Sequence, residues 1–384
     1  MPAGVPLAWL QLTHEKRRLT AALAGVVFAV VLMLIQLGFE SALLLSAGLL
    51  QSHLRADLIL ISSQYQCQVY FTTFTERRLY QALGTEGVES VSALYLGSLP
   101  FKNPVTHRGR SIFIMAFNPE TPALDVPGLA GNLKKLQKPG AVLFDALSRR
   151  EYGPIPELLE ESPKVASEIM DQQVEVVGLF RLGTSFAIDG SLITSDNTYF
   201  RLMPDHGPGI VNVGLIRLRP GADARQVQAQ LASSLPPDVQ VLTRNQFMEL
   251  ERNYWATNTP VGFIFKIAVL AGLLIGCIIV YQILYTDVSS HLREYATLKA
   301  MGYTERFMFR VVMQQSFFLS ILGFLPALLI SQVIYIVTGR ATLLPFHMTL
   351  GRIIVVYALT MLMCAASASL AVRRLKQADP AEIF

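Results

Sequence analysis

Residues 311–338 read VVMQQSFFLSILGFLPALLISQVIYIVT, a run of 28 residues without a charged side chain. An α-helix needs about 20 predominantly apolar residues to cross the hydrocarbon core of a bilayer. Three further charge-free stretches meet this criterion: Leu19–Phe39, Ile267–Thr286 and Ile353–Val372. The first stretch is longer than the roughly 7–15 residues of a signal-peptide core, which favours an uncleaved anchor. The sequence therefore predicts four transmembrane helices.

The composition agrees with a membrane protein that also has a large water-soluble part. Of the 384 residues, 52% are hydrophobic and only 16% are charged. Soluble proteins average about 45–50% and about 25%, respectively. This balance argues against a soluble globular enzyme, a disordered chain and a fibrous protein.

The distribution of charge predicts the orientation in the membrane. Residues 51–260 carry 19 basic and 21 acidic side chains, whereas the rest of the chain carries 13 and 7. The basic excess lies at residues 16–18, 293–310 and 373–376. Such clusters face the cytoplasm, so both termini are expected there, with residues 40–266 and 339–352 outside the plasma (inner) membrane. Because the basic residues flank the spans, we expect contact with membrane lipids and no nucleic-acid partner.

Residues 56–244 have the pattern of a periplasmic α/β domain. Short apolar runs such as DLILIS (57–62), SIFIMAF (111–117) and VEVVGLF (174–180) predict strands, and residues 223–235 predict an amphipathic helix. β-α-β patterns at both ends indicate two related lobes. The Pro- and charge-rich middle, residues 120–173, is expected to be an inserted subdomain or a set of long connections.

The segment before the second span has a helical stripe of apolar residues: Phe247, Leu250, Tyr254 and Trp255. One interpretation is a stalk, a helix that continues from the domain into the span. The alternative is that the stripe packs on the domain itself. Tyr254 and Trp255 also suit an anchor at the membrane interface.

The chain has no recognisable catalytic or metal-binding motif. It contains no G-x-x-x-x-G-K-[ST], no H-E-x-x-H and no C-x-x-C. We therefore expect a non-catalytic protein with no metal and no cofactor of its own. Within the spans, small residues four apart predict close helix packing, within one chain or between two: Gly272 with Gly276, and Ala365 with Ser369.

Residues 287–310 read DVSSHLREYATLKAMGYTERFMFR. Apolar residues at helical spacing predict a short amphipathic helix that ends at Gly302, with Thr304 capping the next helix. The apolar face of this helix would bind either a protein partner or the bilayer surface.

This loop resembles that of MacB/FtsX-like (type VII) permeases of ABC transporters. Their pattern R-E-x-x-x-L-x-A-x-G is matched by Arg293, Glu294, Leu298, Ala300 and Gly302, and their D-P-x-E by residues 379–382. Further stretches resemble the DevC-type subgroup of cyanobacterial exporters: GVESVSALYLG (87–97), LGTSFAIDGSLITSD (182–196) and TPVGFIF (259–265).

The resemblance implies a permease subunit that transmits ATPase-driven motion across the membrane (mechanotransmission). The implied partners are two copies of a separate ABC ATPase subunit that bind ATP and Mg, a periplasmic membrane-fusion adaptor and a TolC-like outer-membrane channel. The permease would be a homodimer in an efflux system that exports a lipid or glycolipid. The resemblance assigns ATPase coupling to Arg293, Glu294, Leu298, Ala300, Met301, Gly302, Tyr303, Asp379 and Pro380.

Three other functions remain open on the sequence. The chain could be an FtsX-like transmembrane signalling protein, a lipoprotein-releasing permease, or a membrane-anchored enzyme or sensor whose outer domain acts alone.

The predicted organisation is an N-terminal interfacial helix (1–18), the first span and stalk (19–55), the α/β domain (56–244), the second stalk and span (245–286), the coupling-helix loop (287–310), the third span (311–338), a short periplasmic loop (339–352), the fourth span (353–372) and a cytoplasmic tail (373–384).

Overall fold

The computed structural model describes residues 9–10, 14, 16–290, 297 and 301–377, with the backbone alone at 305, 308 and 374–377. Most of the predicted interfacial helix (1–18) lies outside the described residues. The chain divides into two compact units. The helical unit comprises Met1–Ala42, Pro260–Ala341 and Phe346–Phe384, and the α/β unit comprises Leu43–Thr259 and Thr342–Pro345.

The α-helices follow one another as α1 (Lys16–Ala47), α2 (Leu49–Ser52), α3 (Arg77–Leu83), α4 (Ile155–Glu161), α5 (Asp196–Leu202), α6 (Ala224–Ser234), α7 (Arg244–Asn253), α8 (Pro260–Ser290), α9 (Glu305–Thr342) and α10 (Leu350–Gln377). The strands are β1 (Leu58–Ser62), β2 (Phe74–Thr75), β3 (Val88–Lys102), β4 (Gly109–Phe117), β5 (Ala141–Asp145), β6 (Val165–Ile169), β7 (Gln172–Phe180), β8 (Ser191–Ser195), β9 (Ile210–Val211), β10 (Val213–Leu218) and β11 (Val239–Thr243).

The helical unit confirms the prediction of four apolar helices. In the part of the chain that the structure describes, α1, α8, α9 and α10 are long and apolar enough to cross a membrane. Each helix extends beyond its charge-free stretch. The helix α9, for example, begins at Glu305 and continues through Pro326 to Thr342. The bundle core is formed by small and branched side chains, including the fully buried Val26 and Ala29 of α1.

The α/β unit is built on one mixed sheet with the strand order β11-β1-β10-β3-β4-β8-β5-β7-β6. The strand β3 is 15 residues long and pairs with β10 near its start and with β4 towards its end. Its last residues also pair with β6, where Phe101 lies opposite Ile169. This extra pairing closes the strands β3, β4, β8, β5, β7 and β6 into a ring.

Both faces of β1 are covered by hydrophobic side chains, which explains why its sequence is apolar without interruption. Leu58 and Leu60 belong to one hydrophobic cluster, and Ile59 and Ile61 belong to another. A strand covered on both faces carries a continuous apolar run rather than an alternating one. The run DLILIS thus marks a central strand between two cores.

The expectation for residues 120–173 is wrong. They form no inserted subdomain, because β5 lies inside the main sheet between β8 and β7, and β6 closes the ring. All five residues of β5 are buried. Composition did not reveal β5, because five residues contribute little to an average over about fifty. Proline and basic residues also lie close to its ends: Lys138, Pro139 and Arg149.

Candidate functional site

Three connecting segments join the α/β unit to the apolar helices along the chain: residues 43–57, 244–259 and 342–345. All three belong to the compact α/β unit, which thus extends beyond residues 56–244. Any force that passes along the chain between the apolar helices and the sheet must pass through these segments. The side chains that hold them are therefore the candidate functional site.

One loop, residues 181–190, contacts all three connecting segments, and we call it the junction loop. The backbone N–H of Phe186 donates a hydrogen bond to Ser46 Oγ in the first segment, at 3.3 Å. The Phe186 ring packs edge-on against Trp255 in the second, with centroids 5.8 Å apart. The Thr184 hydroxyl donates to the Leu343 carbonyl in the third, at 3.1 Å.

A buried carboxylate fixes the start of the junction loop. Asp145, at the end of β5, is completely buried and accepts hydrogen bonds from the N–H groups of Leu182 (3.1 Å) and Gly183 (2.8 Å). Burial raises the pKa of Asp145, and these N–H donors oppose the rise. Gly183 has φ +104°, a conformation that favours glycine. These bonds tie the first residues of the loop to the end of β5.

The second connecting segment is held by another buried carboxylate, Glu251 of α7. Its Oε2 accepts hydrogen bonds from the Tyr65 hydroxyl (2.9 Å) and the Gln68 N–H (3.0 Å). Its Oε1 accepts one from Trp255 Nε1 at 3.2 Å. Glu251 is completely buried, and this desolvation raises its pKa from 4.5 to about 7, although the three donors favour the charged form.

The expected continuous stalk helix is interrupted. The helix α7 starts with a capping box between Thr243 and Gln246 and is followed by a π-helical turn, Tyr254–Asn258. Thr259 is then extended, with φ −115° and ψ 152°, before α8 begins at Pro260. A proline disfavours helical conformation in the residue before it, so Pro260 itself accounts for the break.

The four residues of the predicted stripe have different environments. Phe247 is buried in the α/β core and packs edge-on against Tyr65, with centroids 5.2 Å apart, which agrees with the alternative interpretation. Leu250 and Tyr254 line an open cavity of about 470 Å³. Trp255 is half-buried between Glu251 and the junction loop.

The small residues of the spans pack within this chain. A Cβ at Gly272 would lie 2.6 Å from Leu32 Cδ2 of α1. A Cβ at Gly276 would lie 2.7 Å from a Cβ of α1 and would clash with Met363 of α10. In α10, Ser369 Oγ donates to the Ala365 carbonyl at 2.8 Å and lies 4.0 Å from a methionine sulfur of α9.

Only part of the predicted coupling set lies in the described part of the chain. The N–H of Met301 donates to the Thr297 carbonyl at 3.0 Å, and Gly302 has φ +93°, as at the end of a helix. Met301 and Tyr303 are 63% and 45% exposed, and the Tyr303 ring lies 4.8 Å from that of Phe307. The other predicted residues lie outside the described residues: Arg293, Glu294, Leu298, Ala300, Asp379 and Pro380.

Sequence patterns give no signal for Glu251 or Asp145. The stretch 182–196 overlaps the junction loop, but it indicates a subgroup and not the contacts of the loop. Glu251 carries no local signal because α7 is mostly polar in sequence, and only the fold places Tyr65 and Gln68 beside it. Among the described residues, no group of three or more His, Cys, Asp or Glu side chains is placed to hold a metal ion. The site thus consists of buried hydrogen-bonded carboxylates and aromatic contacts.

A known protein family matches the C-terminal part of the chain. Residues 266–380 match the family model of the FtsX-like permease C-terminal region. No curated protein matches the sequence. The match covers most of α8, all of α9 and α10, and the loop between α8 and α9.

Solved structures of extracytoplasmic domains are similar to about half of this chain. One similar structure is the periplasmic region of MacB from Actinobacillus actinomycetemcomitans, with 8% identity, a TM-score of 0.37 and coverage of 53% of this chain and 96% of that one. Another is the extracellular domain of the noncanonic ABC-type transporter YknZ from Gram-positive bacteria, with 16% identity, a TM-score of 0.33 and coverage of 49% and 99%.

Proposed function

We propose that this chain is the transmembrane permease subunit of a MacB/FtsX-type ABC transporter. The match of residues 266–380 to FtsX-like permeases supports the class. The observation that carries the mechanism is the junction loop, which contacts Ser46, Trp255 and Leu343 on the three connecting segments. A displacement of any segment would act on one loop, and through Asp145 on strand β5.

The energy source in this proposal is a separate ATPase subunit, of which two copies bind ATP and Mg. Met301 and Tyr303 supply exposed apolar surface just before α9. Such side chains fill a pocket on a partner, while neighbouring charges set the register of the contact. The chain itself performs no catalysis in this scheme.

The finer proposal is a DevC-type exporter in the plasma membrane, with both termini cytoplasmic and the α/β unit periplasmic. It would act as a homodimer with a membrane-fusion adaptor and a TolC-like channel to export a lipid or glycolipid. The sequence stretches at residues 87–97, 182–196 and 259–265 support this subgroup. An FtsX-like signalling protein would instead be isolated with a cell-wall hydrolase, and a lipoprotein-releasing permease with a lipoprotein carrier.

The experiment is a native co-purification in mild detergent that compares the wild type with Met301→Asp and the matched control Met301→Leu. A carboxylate placed on a desolvated apolar contact is costly, so Met301→Asp should lose the ATPase and Met301→Leu should retain it. An adaptor retained in all three samples would support the tripartite exporter. Equal ATPase recovery with folded Met301→Asp protein would refute the coupling contact, and recovery of no ATPase with the wild type would refute the permease proposal.

A further inference from the structure

A second cavity lies between the first and second connecting segments. It has a volume of about 410 Å³. This is within the roughly 300–1,000 Å³ of pockets that take small ligands. Its charged and titratable side chains come from both segments, from the loop after β4 and from strand β10: His53, Arg55, Asp57, Asp125, Arg217 and Arg244.

The three arginines in this cavity have no acidic partner among the described residues. In that part of the chain, none of the three guanidinium groups forms an ion pair within 4.0 Å. Arg244 donates one hydrogen bond to the Ala56 carbonyl at 2.9 Å, while its Nε is buried and has no hydrogen-bond partner among the described atoms. A buried donor of this kind is costly unless a ligand or water satisfies it.

The carboxylates of the cavity are partly used elsewhere. Asp57 Oδ2 accepts a hydrogen bond from the Leu218 N–H at 2.8 Å. Three arginines and two aspartates give a formal charge of +1 on the lining, His53 not counted. The aspartates can accept hydrogen bonds from hydroxyl groups attached to an anion, which suits a substituted phosphate better than a simple halide.

The backbone N–H groups at the start of α7 do not account for anion binding in this cavity. At its N-terminus, the Thr243 side chain and the Gln246 side chain already accept backbone N–H groups in the capping box. Guanidinium groups, in contrast, present paired N–H donors that match phosphate oxygens. The apolar members of the lining, Leu54 and Ala56, are both buried, so the cavity is not lined to hold a hydrocarbon chain.

We infer that this cavity binds a phosphate-bearing anion, held by Arg55, Arg217 and Arg244. Such an anion would bridge the first connecting segment, through Arg55, to the second, through Arg244. This inference goes beyond the proposed permease function, because it makes the junction between the two segments dependent on a ligand. The shared chemistry is a phosphate group, free in solution or carried by a lipid headgroup.

The test uses the full chain in a neutral detergent and isothermal titration calorimetry at constant ionic strength set with chloride. The probes are inorganic phosphate, glycerophosphoglycerol (a deacylated anionic headgroup) and, as the control without phosphate, glycerol. The variants are Arg217→Gln and the double variant Arg55→Gln/Arg217→Gln. Both side chains are exposed, so folding should be retained. Arg225→Gln, an exposed arginine of α6 outside the cavity, is the matched control.

Wild type and Arg225→Gln should bind at least one of the two anionic probes. Arg217→Gln should bind that probe about tenfold more weakly, and the double variant about 100-fold more weakly. Tighter binding of glycerophosphoglycerol would identify a lipid headgroup as the source, and tighter binding of inorganic phosphate would identify free phosphate. The inference is overturned if neither anionic probe binds the wild type, if glycerol binds as tightly as they do, or if the double variant binds like Arg225→Gln.

Discussion

Glu251→Gln should remove a large part of the pH dependence of stability, because it keeps the shape of the side chain and removes its charge. The pKa of Glu251 is about 7 in the folded protein, against 4.5 for an ordinary glutamate. Burial is the main cause, since the carboxylate is shielded from water and its hydrogen-bond donors are all uncharged: Tyr65, Gln68 and Trp255.

Proton linkage gives the direction of the effect. Because the folded pKa lies above the unfolded one, folding binds a proton between pH 4.5 and about 7. The contribution of Glu251 to stability is therefore fully present below pH 4.5 and is lost as the pH rises through about 7. At about 1.4 kcal/mol for each pKa unit, the loss across this range is about 3 kcal/mol.

The assay is urea unfolding of the full chain in detergent at several pH values from about 4 to about 8, which bracket both pKa values. The protein has two tryptophans, so a Trp9→Phe background leaves Trp255 as the single reporter. Trp255 donates to Glu251 Oε1, so its fluorescence responds to unfolding at this position. The matched control is Glu249→Gln, which removes an exposed carboxylate from the same helix.

Wild type and Glu249→Gln should lose about 3 kcal/mol more stability over this pH range than Glu251→Gln does. At the acidic end, wild type and Glu251→Gln should agree within about 1 kcal/mol, because a protonated glutamate and a glutamine are both neutral and similar in shape. If Glu251→Gln keeps the pH dependence of the wild type, the reasoning from burial is refuted.

Two further predictions concern packing in each unit. Phe247→Ala should destabilise the α/β unit by about 3–5 kcal/mol in urea unfolding, because the Phe247 ring is buried. Leu250 is half-buried, so Leu250→Ala should destabilise the unit by roughly half as much. Similar losses for the two would contradict this placement. Gly276→Ala should lower the stability of the helical unit by about 1–3 kcal/mol, because the new Cβ would lie 2.7 Å from a Cβ of α1. A Cβ on Gly351 would meet no described atom within 4 Å, so Gly351→Ala should behave like the wild type. Thermal unfolding would be followed by the reaction of the buried Cys364 with a thiol dye, in a background with Cys67→Ala and Cys277→Ala. Equal melting of the two glycine variants would contradict the close approach.

The division of the chain into apolar helices and an α/β unit is predictable because it depends on local properties. A charge-free run such as residues 311–338 is long enough to cross a bilayer whatever surrounds it. The strand β1 is likewise predicted from DLILIS, and the turn at Gly302 from its position after a helical repeat. In each case neighbouring residues in the chain determine the conformation.

The properties of the candidate site depend instead on residues far apart in the chain. Glu251 receives a hydrogen bond from Tyr65, 186 residues away, and the junction loop reaches Leu343 across 159 residues. The ring of strands closes only because the end of β3 meets β6. The raised pKa of Glu251 and the convergence of three guanidinium groups on the second cavity follow from burial and juxtaposition. Only the tertiary structure decides these properties, because no local pattern in the sequence encodes which distant side chains share a volume shielded from water.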